Sequence, residues 1–343
     1  KFDKKLAISK RYQKLNQPKL ALSKLNKTRK TIEKKSYRNA DFYHQSYQLE
    51  TEVYKWTQNQ TRRGNTNLQT LSDTLDIAFV IEKLKRSCTL LTHQALSKTT
   101  FDKGLLTMIL KYVETSDLLE NPTVAIYYYS YLILENPDET IHFQQLQSLI
   151  QENALLFPHD ELKDIFLLSI NFCIRQINIG NQSFQTELFK LYKTGLENEV
   201  FLENGTLSRW TYKNIVAIGL GLGAFEWINN FIHQYKNYIE LEFQESSFNY
   251  NLAKLHYYLK EHKKAKLLLL NIAETDLLLS LNVKLLLCKI YYETEKFDVL
   301  DNLLHSFELY VRRQKTIGYH THNYPNFIRF LKKLNKLNFF DKE

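Results

Sequence analysis

Glycine, proline and cysteine are all scarce in this chain of 343 residues, which has nine, five and three of them. Low glycine and proline contents argue against an all-β fold, because strands joined by tight turns need both residues. No apolar run approaches the ~18 residues of a membrane span, and the longest extends from Ile215 to Phe225. The first residues, Lys-Phe-Asp-Lys-Lys, also lack the apolar core of a signal peptide.

The three cysteines, Cys88, Cys173 and Cys288, are odd in number and far apart. This distribution is typical of small buried thiols in a reducing compartment and not of a disulfide framework. We therefore predict a cytoplasmic protein that does not associate with membranes.

What the chain does have is helical periodicity. Apolar residues recur at steps of three and four along most of its length, and one such stretch predicts a long helix from about Asn67 to Leu96. The segment Val124 to Leu134 is apolar on all sides, which fits either a strand or a buried helix. A buried helix is favoured because nothing nearby offers a partner strand. These patterns predict an all-α protein.

Two stretches near the C-terminal end repeat each other at a spacing of 35 residues. Leu-Ala-Lys at 252–254 recurs as Leu-Cys-Lys at 287–289, and Tyr257 recurs as Tyr292. A fixed period of this size is typical of stacked helical hairpins, in which each unit buries its apolar face against the next.

The same region has a second regularity, in which pairs of small or apolar residues lie twelve positions apart. The three pairs are Val216 and Ile228, Ala253 and Ala265, and Cys288 and Leu300. From about residue 209 to 308 this spacing resembles that of tetratricopeptide repeats. Residues 43–50 and 67–88 also resemble uncharacterised bacterial helical-repeat proteins, and that resemblance implies no known activity.

The resemblance implies a right-handed α-solenoid of antiparallel helical hairpins that is tetratricopeptide-like in its C-terminal half. We expect a basic N-terminal region with long helices over residues 1–115. Helical hairpins follow over residues 116–343, closed by a C-terminal capping helix, and the two regions form one continuous solenoid.

In tetratricopeptide-like folds the first helix of each hairpin lines a concave groove. The matching positions here are Tyr250, Lys254, Tyr257, Lys289 and Tyr292. A ladder of lysines and tyrosines can hold an acidic peptide or a C-terminal carboxylate, because lysine supplies charge-assisted hydrogen bonds and tyrosine supplies rigid contact area. The alternative is that the lysines are solvated and the tyrosines pack between repeats.

Positive charge is concentrated at the N-terminal end. Residues 1–38 carry a net charge of +12, whereas the whole chain carries +9. Interleaved leucines predict two amphipathic helices with a basic face, which includes Lys4, Lys5, Lys10, Arg11, Lys14, Lys24, Lys27, Lys30 and Lys34. This face fits a solvated surface, an acidic protein partner or a nucleic-acid backbone.

Catalytic and cofactor motifs are nearly absent. Gly219 to Ala224 fits the dinucleotide-binding pattern G-x-G-x-x-A, with Glu240 some twenty residues on, but no alternation of strands and helices supports it. His320 and His322 are favoured as loop residues over metal ligands, because no Cys, Asp or Glu lies close by. We predict no cofactor, no metal and no enzymatic activity.

The sequence therefore predicts a non-catalytic scaffold or adaptor that binds another protein or peptide through the concave face of a helical solenoid. The alternative is a nucleic-acid-associated protein that uses the basic N-terminal helices.

Overall fold

A computed structural model describes residues 2–60, 66–97, 99–272, 276–314 and 323–340. Helices make up 82% of it and strands 1%, which confirms the all-α prediction for this part of the chain. The chain forms two compact units, Lys1–Val200 and Phe201–Glu343.

The first unit is built from helices that pack in sequential pairs, α1 with α2, α3 with α4, α6 with α7 and α8 with α9. Their bounds are α1 (Phe2–Lys14), α2 (Pro18–Glu33), α3 (Ala40–Gln60), α4 (Leu68–Ser97), α5 (Leu106–Thr115), α6 (Pro122–Glu135), α7 (Thr140–Asn153), α8 (His159–Asn178) and α9 (Phe184–Glu197). The predicted division between residues 115 and 116 lies inside this unit, because α4 packs against α6 across it.

Helix α6 is the segment that is apolar on all sides, and the structure confirms it as a buried helix. Its start is fixed by two features. The side chain of Asn121 accepts hydrogen bonds from the backbone N–H groups of Thr123 (3.0 Å) and Val124 (3.4 Å). Pro122 occupies the first helical position, where a missing N–H removes no hydrogen bond. The helix is central to the unit because α4, α7 and α8 all pack around it.

A buried carboxylate links three elements of the first unit. Glu161 on α8 accepts hydrogen bonds from the Tyr127 hydroxyl and from Asn39 Nδ2 (2.9 Å), and Lys85 Nζ lies 3.0 Å from it. Burial raises the pKa of Glu161, but these three donors outweigh that effect and hold the pKa below its usual range. The charge is therefore fully compensated, and we assign this network to the packing of α4, α6 and α8.

The second unit begins with a small β-hairpin, β1 (Leu202–Glu203) and β2 (Thr206–Leu207), and continues with seven helices in its described residues. These are α10 (Arg209–Gly221), α11 (Phe225–Tyr235), α12 (Leu241–Tyr258), α13 (His262–Leu270), α14 (Leu277–Glu293), α15 (Phe297–Arg313) and α16 (Asn323–Phe340). Asn204 and Gly205 both have positive φ in the turn of the β-hairpin, which is the conformation that Asn-Gly favours.

Three helical hairpins follow in register with the twelve-residue spacing: α10 with α11, α12 with α13, and α14 with α15. All six residues of that spacing, Val216, Ile228, Ala253, Ala265, Cys288 and Leu300, have no exposed surface. Ala253 and Ala265 belong to one buried cluster together with residues of α14. Small side chains at these positions allow the two helices of a hairpin to approach closely.

The glycine-rich segment lies in this helical region and not in a nucleotide-binding turn. Residues 215–218 are part of α10, and Gly223 supplies the positive φ (72°) of the turn between α10 and α11. A dinucleotide site needs a strand before its glycines, so this motif match does not form one.

Helix α16, the expected capping helix, exposes several apolar side chains. Its buried residues are Tyr324, Ile328, Leu331 and Asn335. The spacing of four, three and four residues between them places all four on one face of the helix. Phe330, Leu334 and Leu337 are instead exposed on another side. These three side chains therefore lie away from the face that α15 covers.

The three thiols are all buried and unpaired, as predicted. Burial raises the pKa of Cys88 and of Cys288 to about 12, so both remain neutral at physiological pH. None of the helices in the described ranges combines the length and apolarity that crossing a membrane requires.

We expect the substitution Ala265→Leu to lower the free energy of unfolding by about 1–3 kcal/mol, because the added atoms overpack the contact between α12 and α13. Urea denaturation followed by circular dichroism measures the change. Lys263→Leu, at an exposed position on the same helix, is the control and is expected to be nearly neutral. Equal stability of Ala265→Leu and the unmodified protein would show that this hairpin is packed differently.

Candidate binding surface

Three lysines lie on the first helices of the three successive hairpins. Lys213 is on α10, Lys254 on α12 and Lys289 on α14, and α12 packs against both α10 and α14. Lys213 and Lys254 are half-buried, whereas Lys289 is exposed. We call these three residues the lysine row. Two of them, Lys254 and Lys289, are among the predicted partner-binding residues.

Lys254 is the electrostatic centre of the row. Burial, together with the positive charges of Lys213 and Lys289, lowers its pKa to about 8. In the described part of the chain, no carboxylate lies within ion-pair distance of its amine. The folded protein therefore holds three positive charges close together, and none of the described residues supplies an anion that compensates the central charge.

One acidic side chain lies near the row, but other groups already engage it. Asp276 caps α14 by accepting a hydrogen bond from the backbone N–H of Leu279 (2.8 Å), and it forms an ion pair with Arg209 at 2.8 Å. Burial lowers the pKa of Lys213, and the charge of Asp276 opposes this shift only in part. The ammonium of Lys213 instead lies 5.2 Å from the centre of the Trp210 ring.

A cleft adjoins the lysine row at Lys213. Its lining residues are Arg209, Trp210, Lys213, Ser247, Tyr250, Asn251, Asp276, Leu279 and Asn282. The Asn251 side chain is almost completely buried, and its Nδ2 group donates to the carbonyl of Ser247 (2.8 Å). Its Oδ1 atom has no hydrogen-bond partner among the described residues. A buried acceptor without a donor is unfavourable, and this one belongs to a residue that lines the cleft.

The three predicted tyrosines have different surroundings. Tyr250 is buried and lines the cleft. Tyr257 is half-buried, and its hydroxyl donates to Glu293 on the next hairpin. Lys260 Nζ also binds Glu293, at 2.8 Å. Tyr292 packs against the core between α14 and α15, with its ring centre 6.3 Å from that of Phe297. The contacts of Tyr257 and Tyr292 are those of packing within and between hairpins, which is the alternative that the sequence left open.

Lys213 is the member of the row that the repeat pattern of the sequence did not predict. The position equivalent to Lys254 in the twelve-residue register is Ala217, and Lys213 lies one helical turn before it. The repeat pattern, which compares equivalent positions only, therefore does not include Lys213. A lysine one helical turn before or after an equivalent position would also have to be considered, because residues four apart lie on the same face of a helix.

The nine predicted basic-face residues all lie on α1, α2 or the residue that follows α2. Two basic residues of these helices face α3, where Lys10 lies 3.5 Å from Glu52 and Arg29 lies 2.7 Å from Glu50. Lys5 donates to Thr31 on the neighbouring helix, and Lys24 is half-buried. The other six predicted residues, Lys4, Arg11, Lys14, Lys27, Lys30 and Lys34, are exposed.

A search for metal-binding geometry finds no group of three or more His, Cys, Asp or Glu side chains in the ranges that the structure describes. His320 and His322 lie outside the described residues.

The double substitution Tyr257→Ala, Tyr292→Ala is expected to lower the free energy of unfolding by about 2–4 kcal/mol. It removes two half-buried rings from hairpin packing and the hydrogen bond from α12 to Glu293. Thermal unfolding measures the loss. Tyr258→Ala, at an exposed position on α12, is the control. An unchanged stability of the double variant would instead support the prediction that both rings line a groove.

Replacing Lys254 by Met is expected to stabilise the protein by about 1–3 kcal/mol at pH 7, because it removes a half-buried, uncompensated charge. The pKa of Lys254 is lower in the folded protein than in the unfolded chain. Between pH 8 and the pKa of this lysine in the unfolded chain, the unfolded state therefore binds more protons. The stability of the unmodified protein therefore rises over that range, and the gain from Lys254→Met shrinks there. Denaturation at pH 7 and pH 10 measures both values. Destabilisation at pH 7 would mean that Lys254 has a favourable anionic contact in the free protein.

Comparison with protein-family models, curated proteins and solved structures finds no match to this chain. The proposal for its function therefore rests on the lysine row and its surroundings.

Proposed function

We propose that the second unit is a tetratricopeptide-like binding module that holds an acidic, extended segment of another protein along the lysine row, without carrying out chemistry. We further infer that its three hairpins stack in the right-handed manner of tetratricopeptide repeats. The resemblance in sequence and the burial of all six register positions support this arrangement.

The observation that carries the proposal is the uncompensated charge of Lys254. A half-buried lysine between two other lysines is unfavourable in the free protein, since burial and like charges both oppose protonation. Binding of a carboxylate relieves this cost and forms charge-assisted hydrogen bonds. The row therefore favours an anionic ligand over a neutral or cationic one.

The arrangement of the row favours an extended ligand over a compact anion. Packed helices lie about 8–10 Å apart, so lysines on three neighbouring helices span roughly 20 Å. A polyproline II chain advances about 3.1 Å per residue with three residues per turn, so every third side chain returns to the same face about 9 Å further on. Carboxylates at every third residue of such a segment match the row.

The neighbouring cleft supplies contacts to the backbone and apolar side chains of the same segment. Asn251 Oδ1 can accept a hydrogen bond from a peptide N–H, and Trp210 presents an exposed ring beside it. Aromatic side chains and buried acceptors of this kind give orientation and specificity, whereas the lysines give attraction to acidic sequences.

The test uses a fluorescein-labelled peptide of twelve residues, with Glu at every third position and Ala and Pro between. The control peptide has Gln in place of Glu. Fluorescence anisotropy is expected to show binding of the Glu peptide only, with affinity that falls as salt rises. Lys254→Gln is expected to weaken binding at least tenfold, because one charge-assisted hydrogen bond contributes about 1.5–3 kcal/mol. The control Lys263→Gln lies on α13, a second helix of a hairpin, and should leave the affinity unchanged.

The pH dependence gives an independent measurement. Binding requires the protonated form of Lys254, whose pKa is about 8 in the free protein. The affinity is therefore expected to be constant between about pH 6 and 7, where the peptide glutamates stay ionised, and to fall as the pH rises above about 8. This fall should be smaller in Lys254→Gln. Equal binding of the Glu and Gln peptides at low salt, or equal loss in Lys254→Gln and Lys263→Gln, would overturn the proposal.

A further inference from the structure

The α1–α2 hairpin and the residue that follows it carry seven exposed cations that no carboxylate among the described residues neutralises. Ion pairs to α3 involve only Lys10 and Arg29 of these two helices. No carboxylate among the described residues pairs with the remaining exposed cations, which are Lys4, Arg11, Lys14, Lys19, Lys27, Lys30 and Lys34. We call these seven residues the outer cations. They are the part of the basic N-terminal end that faces solvent.

Packing of the hairpin fixes the orientation of the outer cations. Leu6, Leu25 and Ile32 are buried in one cluster with Leu49 of α3, so the apolar faces of α1 and α2 are fully used. Lys27 and Lys30 on α2 and Lys34, the residue that follows it, are spaced by three and four residues. Lys34 keeps a helical backbone conformation, so all three lie on one face over about 10 Å. On α1, Lys4 and Arg11 are seven residues apart and also share a face. Both helices therefore present cations on the side opposite to their buried face.

We propose that these outward faces of the α1–α2 hairpin form a docking surface for the phosphate backbone of a nucleic-acid duplex. This inference concerns the first unit and does not depend on the lysine row of the second. Duplex DNA carries one negative charge per about 1.7 Å of its axis, so cations spread along two helices find phosphates without a specific register.

The composition of the surface distinguishes this partner from an acidic protein. Protein interfaces have an apolar, aromatic-rich centre, whereas binding to a phosphate backbone requires only cations at suitable spacing. The large apolar side chains that α1, α2 and their connection expose are Leu15 and Leu20, both beside the turn between the helices. They do not form a central patch. The same observation argues against a lipid surface, because a helix that lies in a membrane interface is apolar along its length.

Recognition through this surface is expected to be independent of base sequence. Six of the seven outer cations are lysines, which act as point charges. Base recognition in the major groove uses bidentate Arg, Asn or Gln side chains, and Arg11 alone among the outer cations has that geometry. The surface therefore fits non-specific association that weakens steeply with salt.

The test measures anisotropy of a fluorescein-labelled 20-bp DNA duplex with the full chain at 50–200 mM KCl. If five to seven phosphates are neutralised, the slope of log affinity against log salt is about −4.5 to −6. The variant Lys27→Gln, Lys30→Gln, Lys34→Gln is expected to have a slope shallower by about 2.7, at 0.9 per lost contact. The matched control Lys111→Gln, Lys263→Gln, Lys296→Gln changes the net charge equally at exposed positions elsewhere and should keep the original slope.

A second duplex of unrelated sequence is expected to bind within about threefold of the first. Three results would overturn the inference. The first is absence of binding at 50 mM KCl, and the second is the same slope in the α2 variant and its control. The third is displacement of the duplex by polyglutamate at equal charge, which would assign the surface to acidic proteins. Circular dichroism of both triple variants checks that the fold is intact, which is expected because all six substituted side chains are exposed.

Discussion

The close approach of helices within the hairpins of the second unit is the constraint on which the lysine row depends. Ala253 and Ala265 have no exposed surface and lie in one cluster with residues of α14. Because their side chains are small, α12 packs closely against α13 while it also contacts α10 and α14. The first helices of three hairpins consequently become neighbours. That arrangement, and no local feature of any one helix, places Lys213 and Lys289 close enough to Lys254 to lower its pKa.

The charged side chains of the two units differ in whether a group of opposite charge pairs with them. In the first unit Glu50 and Glu52 of α3 pair with the cations that face inward, and the buried Glu161 is fully satisfied by its three donors. In the second unit Lys254 is half-buried and no described carboxylate pairs with it, although Asp276 lies near the row. A charge that is buried and paired serves packing, whereas a charge that is buried and unpaired lowers stability until a ligand compensates it. This difference is why the lysine row is a candidate site and the Glu161 network is not.

The tyrosines illustrate how one repeat pattern serves two purposes. Tyr257 and Tyr292 are equivalent positions of neighbouring hairpins, and the resemblance to tetratricopeptide repeats implies that both line a groove. In the structure the Tyr257 hydroxyl reaches Glu293 on the following hairpin, and Tyr292 packs on the core near Phe297. Both rings therefore hold hairpins together. The lysines three residues before them, Lys254 and Lys289, extend from the same helices, and no carboxylate among the described residues pairs with either of them.

The sequence by itself determined the helical class, the buried helix α6, the hairpin register and the basic character of α1 and α2. These features follow from periodicity and composition, which act through neighbours in the chain. Only the tertiary structure decided which face of α16 is covered, that α4 packs on α6 across the expected boundary, and that Lys213 joins Lys254 and Lys289. Lys213 lies one helical turn before the position equivalent to Lys254, so the repeat pattern alone does not group it with the other two lysines. Burial of Lys254 and the orphaned Oδ1 of Asn251 likewise depend on residues that are distant in sequence, so no local pattern could predict them.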